Sequence, residues 1–288
     1  MTGLFHPEPG VPYFCVVGSP IAHSRSPQIH ALFAAQLGLR LTYERVEVQP
    51  GDLAGAVRQF RALGGQGMNV TVPLKEEACR LADRMQPAAA EAGAANTLWF
   101  EDGGVLVADN TDGAGLLRDL DQNLGIRMAG KRILVIGAGG ASRGVLPVIL
   151  RSGPAALLLA NRTLAKAQEV AERFKSLGNI TAQALGVAAS EPYDLIINAT
   201  STGLTGECAP LGQGAVGRHT SCYDMVYAAE PTPFLRDAAR LGAKRCVDGL
   251  GMLVEQAALA FAIWHDREPR TRPVIEAIRS LMATASPS

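Results

Sequence analysis

Cysteine is scarce and shows no pairing pattern. The 288-residue chain has five, an odd number, scattered and without a Cys-x-x-Cys spacing. This implies neither a disulfide framework nor a thiolate zinc site, and free thiols buried in a reducing cytoplasm are the expected state. The five histidines are scattered too, with no His-x-His or His-x-x-x-His spacing, so no metal is expected. Charge of one sign is also lacking. Lys plus Arg and Asp plus Glu stand at 27 each, which removes the basic excess that draws nucleic acid or an anionic membrane surface. Attraction for an anionic ligand must come from local placement of charge. Nowhere do eighteen apolar residues run together, so no membrane-spanning helix is expected. Residues 1–12 lack the basic-then-apolar pattern of a secretion signal. Aromatic residues make up only 5%, which suits an Ala/Leu/Val-rich α/β protein better than a β-sandwich.

What is present is enough apolar residue, 48% against 19% charged, to bury a substantial core. The length suggests one large domain or two modest ones. Short apolar runs alternate with amphipathic stretches. The pattern predicts strands at 14–18, 43–48 and 67–72, helices at 27–37 and 53–63, and a helix opening at Pro73, where a missing N–H costs nothing. Runs at 97–100 and 105–108 read as a hairpin across Asp102-Gly103-Gly104. A helix follows over 115–123. The second half reads strand 132–136, a glycine-rich turn, a helix to 150, strand 157–160, helix 164–174, and strands 194–198 and 221–224. Helices at 253–264 and 273–282 close the chain. Such alternation predicts parallel strands with right-handed crossovers. Boundaries fall near Asp112 and Gly249, giving segments 1–112, 113–248 and 249–288. About forty residues rarely bury a core alone, so the last segment is expected to pack back on the first, with a ligand cleft between two α/β domains.

The sharpest local signal is Gly137-Ala138-Gly139-Gly140-Ala141 between a strand and a helix. Gly137 permits a tight turn, Gly139 lets backbone N–H groups approach a pyrophosphate, and the helix N-terminus favours its charge. Ser142 stands at the usual third glycine and is small enough for close helix–strand packing. The next strand ends in Asn161-Arg162-Thr163. An NAD site usually places an acid here for the ribose 2′-hydroxyl; instead Arg162, with Thr163 and Lys166, offers cations for a 2′-phosphate. NADP is therefore the expected cofactor, the alternative being a solvated basic patch.

Polar clusters sit at other strand ends. Lys75, after Thr71 and Pro73, falls in a first helical turn, where the macrodipole disfavours a cation by about 0.3–1 kcal/mol. A surface lysine paired with Glu76 or Glu77 is the simple alternative. Asp112, in Asp109-Asn110-Thr111-Asp112-Gly113, is equally able to cap a helix. Ser24 and Ser26 also read as cap hydroxyls, Asn96-Thr97 as loop polarity, and Gln256 as a polar residue on an apolar helix. Together they form the inventory that a substrate with several hydroxyls and a carboxylate needs.

The segments 18–27, 69–75, 93–97 and 109–113, with 137–144, 161–163, 198–201, 223–227 and 248–253, form one ordered series of motifs whose order and spacing are similar to those of a known family. In these the chain resembles the shikimate dehydrogenase family from about Phe14 to Leu281. The resemblance implies an α/β fold: an N-terminal α/β substrate domain, a Rossmann-type doubly wound NADP domain, and C-terminal helices returning to the first. It implies Lys75 and Asp112 as the catalytic pair, and Ser24, Ser26, Thr71, Asn96, Tyr227 and Gln256, with Lys75 and Asp112, as substrate-holding positions. On the cofactor side it implies Gly137, Ala138, Gly139, Gly140, Ala141, Asn161, Arg162, Thr163, Lys166, Met225 and Gly249. The Ser-x-Ser form at 24 and 26 resembles the shikimate-selective members more than the quinate-using ones. Pro87 departs from the polar residue some relatives place there. The implied partner is a small molecule, with the protein a monomer or homodimer. The other readings are a broader quinate/shikimate dehydrogenase, a non-catalytic NADP-binding regulatory protein, and a two-domain dehydrogenase acting on a folate; the Ser-x-Ser pair and the 110–113 cluster weigh against the last.

Overall fold

The structure is a computed structural model that describes residues 4–187, 189–200 and 210–284. It divides into two compact units, with the chain passing between them after Gly115, Leu253 and Ile278.

The first unit is built on a six-stranded mixed sheet in the order β2-β1-β3-β5-β6-β4. Its strands are β1 (Tyr13–Gly18), β2 (Thr42–Glu47), β3 (Gly65–Val70), β4 (Arg84–Met85), β5 (Thr97–Phe100) and β6 (Leu106–Asp109). Between them lie α1 (Ser26–Leu37), α2 (Leu53–Ala62), α3 (Lys75–Leu81) and α4 (Pro87–Ala92). Strand β1 is buried along its whole length, as a strand covered on both faces must be. It pairs in parallel with β2 and β3. Strand β5 runs antiparallel to both β3 and β6, so the parallel rule of the opening elements stops at the expected hairpin. On one side Val17, Leu53, Phe60, Met68 and Leu98 share a core.

Residues 254–278 cluster with this unit. They include most of α9 (Leu250–His265) and the start of α10 (Arg272–Thr284). Trp264 stacks on Phe14 with ring centroids 5.0 Å apart, and Phe261 meets Phe33 edge-on at 5.6 Å. These rings supply the burial that the last helices cannot find among themselves.

The second unit holds β7 (Arg132–Ile136), β8 (Ala156–Asn161), β9 (Ile180–Ala184), β10 (Leu195–Asn198), β11 (Ser221–Asp224) and β12 (Arg245–Asp248), all parallel. Their order, β12-β11-β10-β7-β8-β9, is the doubly wound order, whose switch point lies beside β7. Helices α6 (Gly140–Arg151), α7 (Leu164–Phe174) and α8 (Pro233–Arg240) lie in the crossovers β7 to β8, β8 to β9 and β11 to β12. Helix α7 buries Ala167, Val170, Ala171 and Phe174, the spacing of one helical face.

Three expectations change in detail. The helix expected from Pro73 begins at Lys75, and the Val72-Pro73 peptide is cis. The helix expected over 115–123 begins earlier, as α5 (Asp112–Arg118), and continues as a π-helical turn over Asp119–Asn123. Pro87 opens α4, where its fixed φ suits a first turn; its departure from the polar residue has this structural use.

Candidate active site

Lys75 opens α3, immediately after the loop that leaves β3. Two backbone bonds fix that loop, from Thr71 N to Val17 O at 2.9 Å and from Ala95 N to Lys75 O at 2.8 Å. The second ties the lysine backbone to the segment that leads into Asn96. Asp112 opens α5, and its N–H donates to Asn110 Oδ1 at 3.0 Å. Asn110 therefore provides the side-chain acceptor at this helix start, which frees the Asp112 carboxylate from capping. Lys75 Nζ donates to Asp112 Oδ2 at 2.6 Å, with the two side chains only 12% and 5% exposed. The partner of Lys75 is thus a carboxylate 37 residues away, and neither neighbouring glutamate.

Asn96 organises the rest. Its Nδ2, with two hydrogens to share, lies within hydrogen-bond distance of three acceptors: Asp112 Oδ1 at 2.9 Å, Thr111 Oγ1 at 2.9 Å and Gln256 Oε1 at 3.0 Å. Its Oδ1 accepts from Thr111 N at 2.9 Å and from Thr97 Oγ1 at 2.9 Å. Gln256 reaches this group because α9 passes close to α5. A Cβ on Gly115 would lie 2.8 Å from both the backbone N and the Cβ of Gln256, so only glycine permits that approach. Thr111 Oγ1 donates to Gln256 O at 3.0 Å, which ties the same two elements. Asn69, Tyr43 and Thr97 extend the network beneath: Tyr43 OH donates to Asn69 Oδ1 at 2.7 Å, and Asn69 Nδ2 to Asn96 O at 3.1 Å. Asn110, Thr111 and Asn69 lie within the segments 109–113 and 69–75, but the resemblance implies no role for them. Tyr43 carried no signal of its own.

Ser24 and Ser26 are buried at the start of α1. The N-cap position is Arg25, with no side-chain cap bond, so neither serine caps the helix. Ser24 Oγ donates to Ser26 Oγ at 3.2 Å, and the Tyr43 hydroxyl bonds with Ser26. The side chain of Thr71 lies over Gly18, where an added Cβ would be 2.5 Å from its methyl carbon. The structure thus gathers Lys75, Asn96, Asp112 and Gln256 into one bonded group, with the Ser24–Ser26 pair joined to it through Tyr43 and Asn69. Tyr227 belongs to the second unit, where it is half-buried.

In the second unit, Gly137 has φ +106, a conformation other residues rarely adopt, and Ser142 Oγ donates to its carbonyl at 2.6 Å. Gly139 is the N-cap of α6 and offers no side-chain bond. The first N–H groups of a twelve-residue helix are thus left without a side-chain cap, a suitable cradle for a pyrophosphate. At the end of β8, Asn161 Nδ2 donates to Thr163 O at 2.9 Å, while Arg162, Thr163 and Lys166 are exposed. Gly249 passes so near Met225 that a Cβ would lie 2.3 Å from its carbonyl oxygen. Asn198 bonds Asp224 at 3.0 Å and Thr200 bonds Asn198 at 2.7 Å; Ser201 of the same segment lies outside the described residues. These residues fit a dinucleotide with a 2′-phosphate. Burial raises the thiols of Cys15 and Cys222, the latter to about 12, which leaves them protonated and poor nucleophiles. Among the described residues no group of three or more His, Cys, Asp or Glu can hold a metal ion.

A doubly wound sheet with a glycine-rich turn, in a chain whose other α/β unit carries a buried lysine–aspartate pair among amides and hydroxyls, defines a dinucleotide-dependent oxidoreductase of small polar molecules. Comparison with known proteins narrows the class. Family models match at residues 16–98 (shikimate dehydrogenase substrate binding domain), 119–205 (shikimate / quinate 5-dehydrogenase) and 249–279 (shikimate 5′-dehydrogenase C-terminal domain). A shikimate dehydrogenase (NADP(+)) of Alkalilimnicola ehrlichii is 50% identical over 92% of this chain and 98% of its own. The Ael1 enzyme of Pseudomonas putida is 43% identical with a TM-score of 0.84, over 92% of this chain and 97% of that one. Shikimate 5-dehydrogenase of Thermus thermophilus, in complex with NADP(H) and shikimate, is 34% identical with a TM-score of 0.82, over 94% and 99%. The chain belongs to the shikimate dehydrogenase family.

Proposed function

We propose that the chain catalyses the reversible NADPH-dependent reduction of 3-dehydroshikimate to shikimate, a step towards chorismate and the aromatic amino acids, with Lys75 and Asp112 at the reacting centre. The 2.6 Å contact between Lys75 Nζ and Asp112 Oδ2, buried among Asn96, Thr111 and Gln256, carries the reading. When bound, NADPH supplies hydride to the ketone carbon. The uncapped start of α6 with Gly137, Ala138, Gly139, Gly140 and Ala141 would hold its pyrophosphate, and Asn161, Arg162, Thr163 and Lys166 its 2′-phosphate. Met225 and Gly249 would line the same ligand. Lys75 donates a proton to the oxygen on which negative charge develops, and takes it back in the reverse direction. Asp112 accepts a hydrogen bond from Lys75 and so aims the ammonium. Asn96, Asp112, Gln256, Thr71 and Tyr227 bind substrate hydroxyls. The Ser24–Ser26 hydroxyls, at the positive end of α1, suit the carboxylate. The enzyme works in the cytoplasm as a monomer or homodimer.

The test is turnover by purified protein with shikimate or quinate, each against NADP⁺ and NAD⁺, followed by reduced-nicotinamide absorbance. Turnover confined to shikimate with NADP⁺ is expected. Comparable rates with quinate or NAD⁺ would place the protein among the broader dehydrogenases, and no turnover with any pair would make it a binding protein.

A further inference from the structure

Strand β2 lies at the edge of the first sheet. Tyr43 and Arg45, two residues apart on it, point to the same side. Both meet the loop that leads into α1. The Tyr43 hydroxyl bonds with Ser26, and Arg45 Nη1 donates to Ala22 O at 2.6 Å and to Ser24 O at 3.2 Å. The turn is closed from inside by Ser24 N bonding to Ile21 O at 3.0 Å and by Ser26 N bonding to Ser24 Oγ at 3.3 Å. A guanidinium on the Ala22 and Ser24 carbonyls fixes the loop more firmly than water would, because bonds from a charged donor are the stronger ones. The charge of Arg45 is also felt in the loop: burial first, and then Arg45, lower the pKa of the intervening His23.

We infer that Arg45 is a positioning and specificity residue for the substrate carboxylate: it clamps the Ala22 and Ser24 carbonyls, which holds the Ser24 and Ser26 hydroxyls in place, and sets a positive charge behind them. The inference rests on the reading that the two serines hold the carboxylate. Arg45 itself touches neither substrate nor cofactor. It acts on the affinity for an anionic substrate and leaves proton transfer at Lys75 untouched. Arg45 is exposed, so its charge is open to screening by salt.

The experiment measures kcat and KM for shikimate at saturating NADP⁺, at low and high ionic strength, in the wild type, Arg45→Gln, Arg45→Lys, the double variant S24A/S26A, and Arg45→Gln on that double background. Arg45→Gln is expected to raise KM for shikimate about tenfold, with kcat within about twofold, KM for NADP⁺ unchanged, and the salt dependence of KM lost. Arg45→Lys keeps the charge and so keeps the salt dependence. On the double-serine background Arg45→Gln should add less than about twofold, as residues acting through one another do. An unchanged shikimate KM in Arg45→Gln, a fall in kcat alone, or a full multiplicative effect on the double variant would each overturn the inference. A wild-type KM in S24A/S26A would instead remove the carboxylate reading of the serines, and the inference with it. Thermal melts check that the variants fold; should Arg45→Gln fail to fold, a salt-independent KM in Arg45→Lys would still refute the role of charge.

Discussion

Lys75 is an expensive residue at its position. The first turn of a helix disfavours a cation by about 0.3–1 kcal/mol, and burial of an ammonium costs more. The structure offsets both with Asp112 at 2.6 Å, whose other oxygen is held by Asn96 at 2.9 Å. Under the proposed mechanism Lys75 is the proton donor, and its aiming by Asp112 should show its value in the chemical step. Lys75→Ala is expected to lower kcat by roughly 10²–10⁴-fold, with shikimate KM changed by no more than about threefold. A large rise in KM at near-normal kcat would make Lys75 a binding residue. Asp112→Asn keeps a side chain of the same shape and loses the charge that aims the lysine. It should lower kcat by about 10–100-fold, and steady-state rates across pH would separate this from loss of the fold, which lowers the amplitude alone.

At the scale of elements, the proposed function has the turn between β8 and α7 and the crossing of α5 with α9 each set one affinity. With no acid at the end of β8 and Arg162 exposed there, Arg162→Ala should raise KM for NADP⁺ about tenfold or more and leave KM for NAD⁺ nearly unchanged, a loss expected of a charge-assisted phosphate contact. Equal losses for both cofactors would contradict the 2′-phosphate role. Gly115→Val should force α9 away from α5, break the Gln256–Asn96 bond of 3.0 Å, and raise shikimate KM while lowering the melting temperature. These two sites also show how far the sequence can be read. Helix α7 follows from its pattern because Ala167, Val170, Ala171 and Phe174 all answer to one buried face. Strand β4 does not, since its two residues are exposed and it exists only because β6 lies beside it. Strand β9 is only partly buried along its length, β12 has an exposed first residue and no fully buried one, and the π-helical turn after α5 has no sequence marker. In the active site, the polar clusters are visible as strand-end loops, but the bond joining Asn96 to a glutamine 160 residues later cannot come from spacing. Gln256 stands out in the sequence as a polar residue on an apolar helix, but a place for it in the site is implied only by the family resemblance. That Asn110, rather than Asp112, provides the acceptor at the start of α5 could be decided only by geometry.

At the scale of the whole molecule, each unit closes its own core, so stability in each answers to its own titrating groups. His30 is the clearest case. It is fully buried in the first unit, stacked on Tyr43 with ring centroids 4.1 Å apart, and faces Phe33, Phe261 and Trp264. Burial, and then the nearby His265, push its pKa from 6.5 down to about 3, against a smaller opposing pull from Asn69. The neutral ring is therefore the form the fold accepts, and the unfolded chain binds the proton first. Stability from this group is complete above pH 6.5 and is lost as pH falls from there towards 3. Between pH 7 and pH 4 the loss is on the order of 3 kcal/mol. His23 and His265, also lowered by burial, act in the same direction. The carboxyls of Asp109 and Asp224, raised by burial, act in the opposite one at lower pH. His30→Phe removes the titration and keeps an aromatic ring among its neighbours. Urea midpoints of the wild type should therefore fall steeply between pH 7 and pH 4, and those of His30→Phe should fall less by most of that difference. Equal slopes for the two proteins would mean that His30 gains its proton inside the folded unit, and that its surroundings open before the rest of the core.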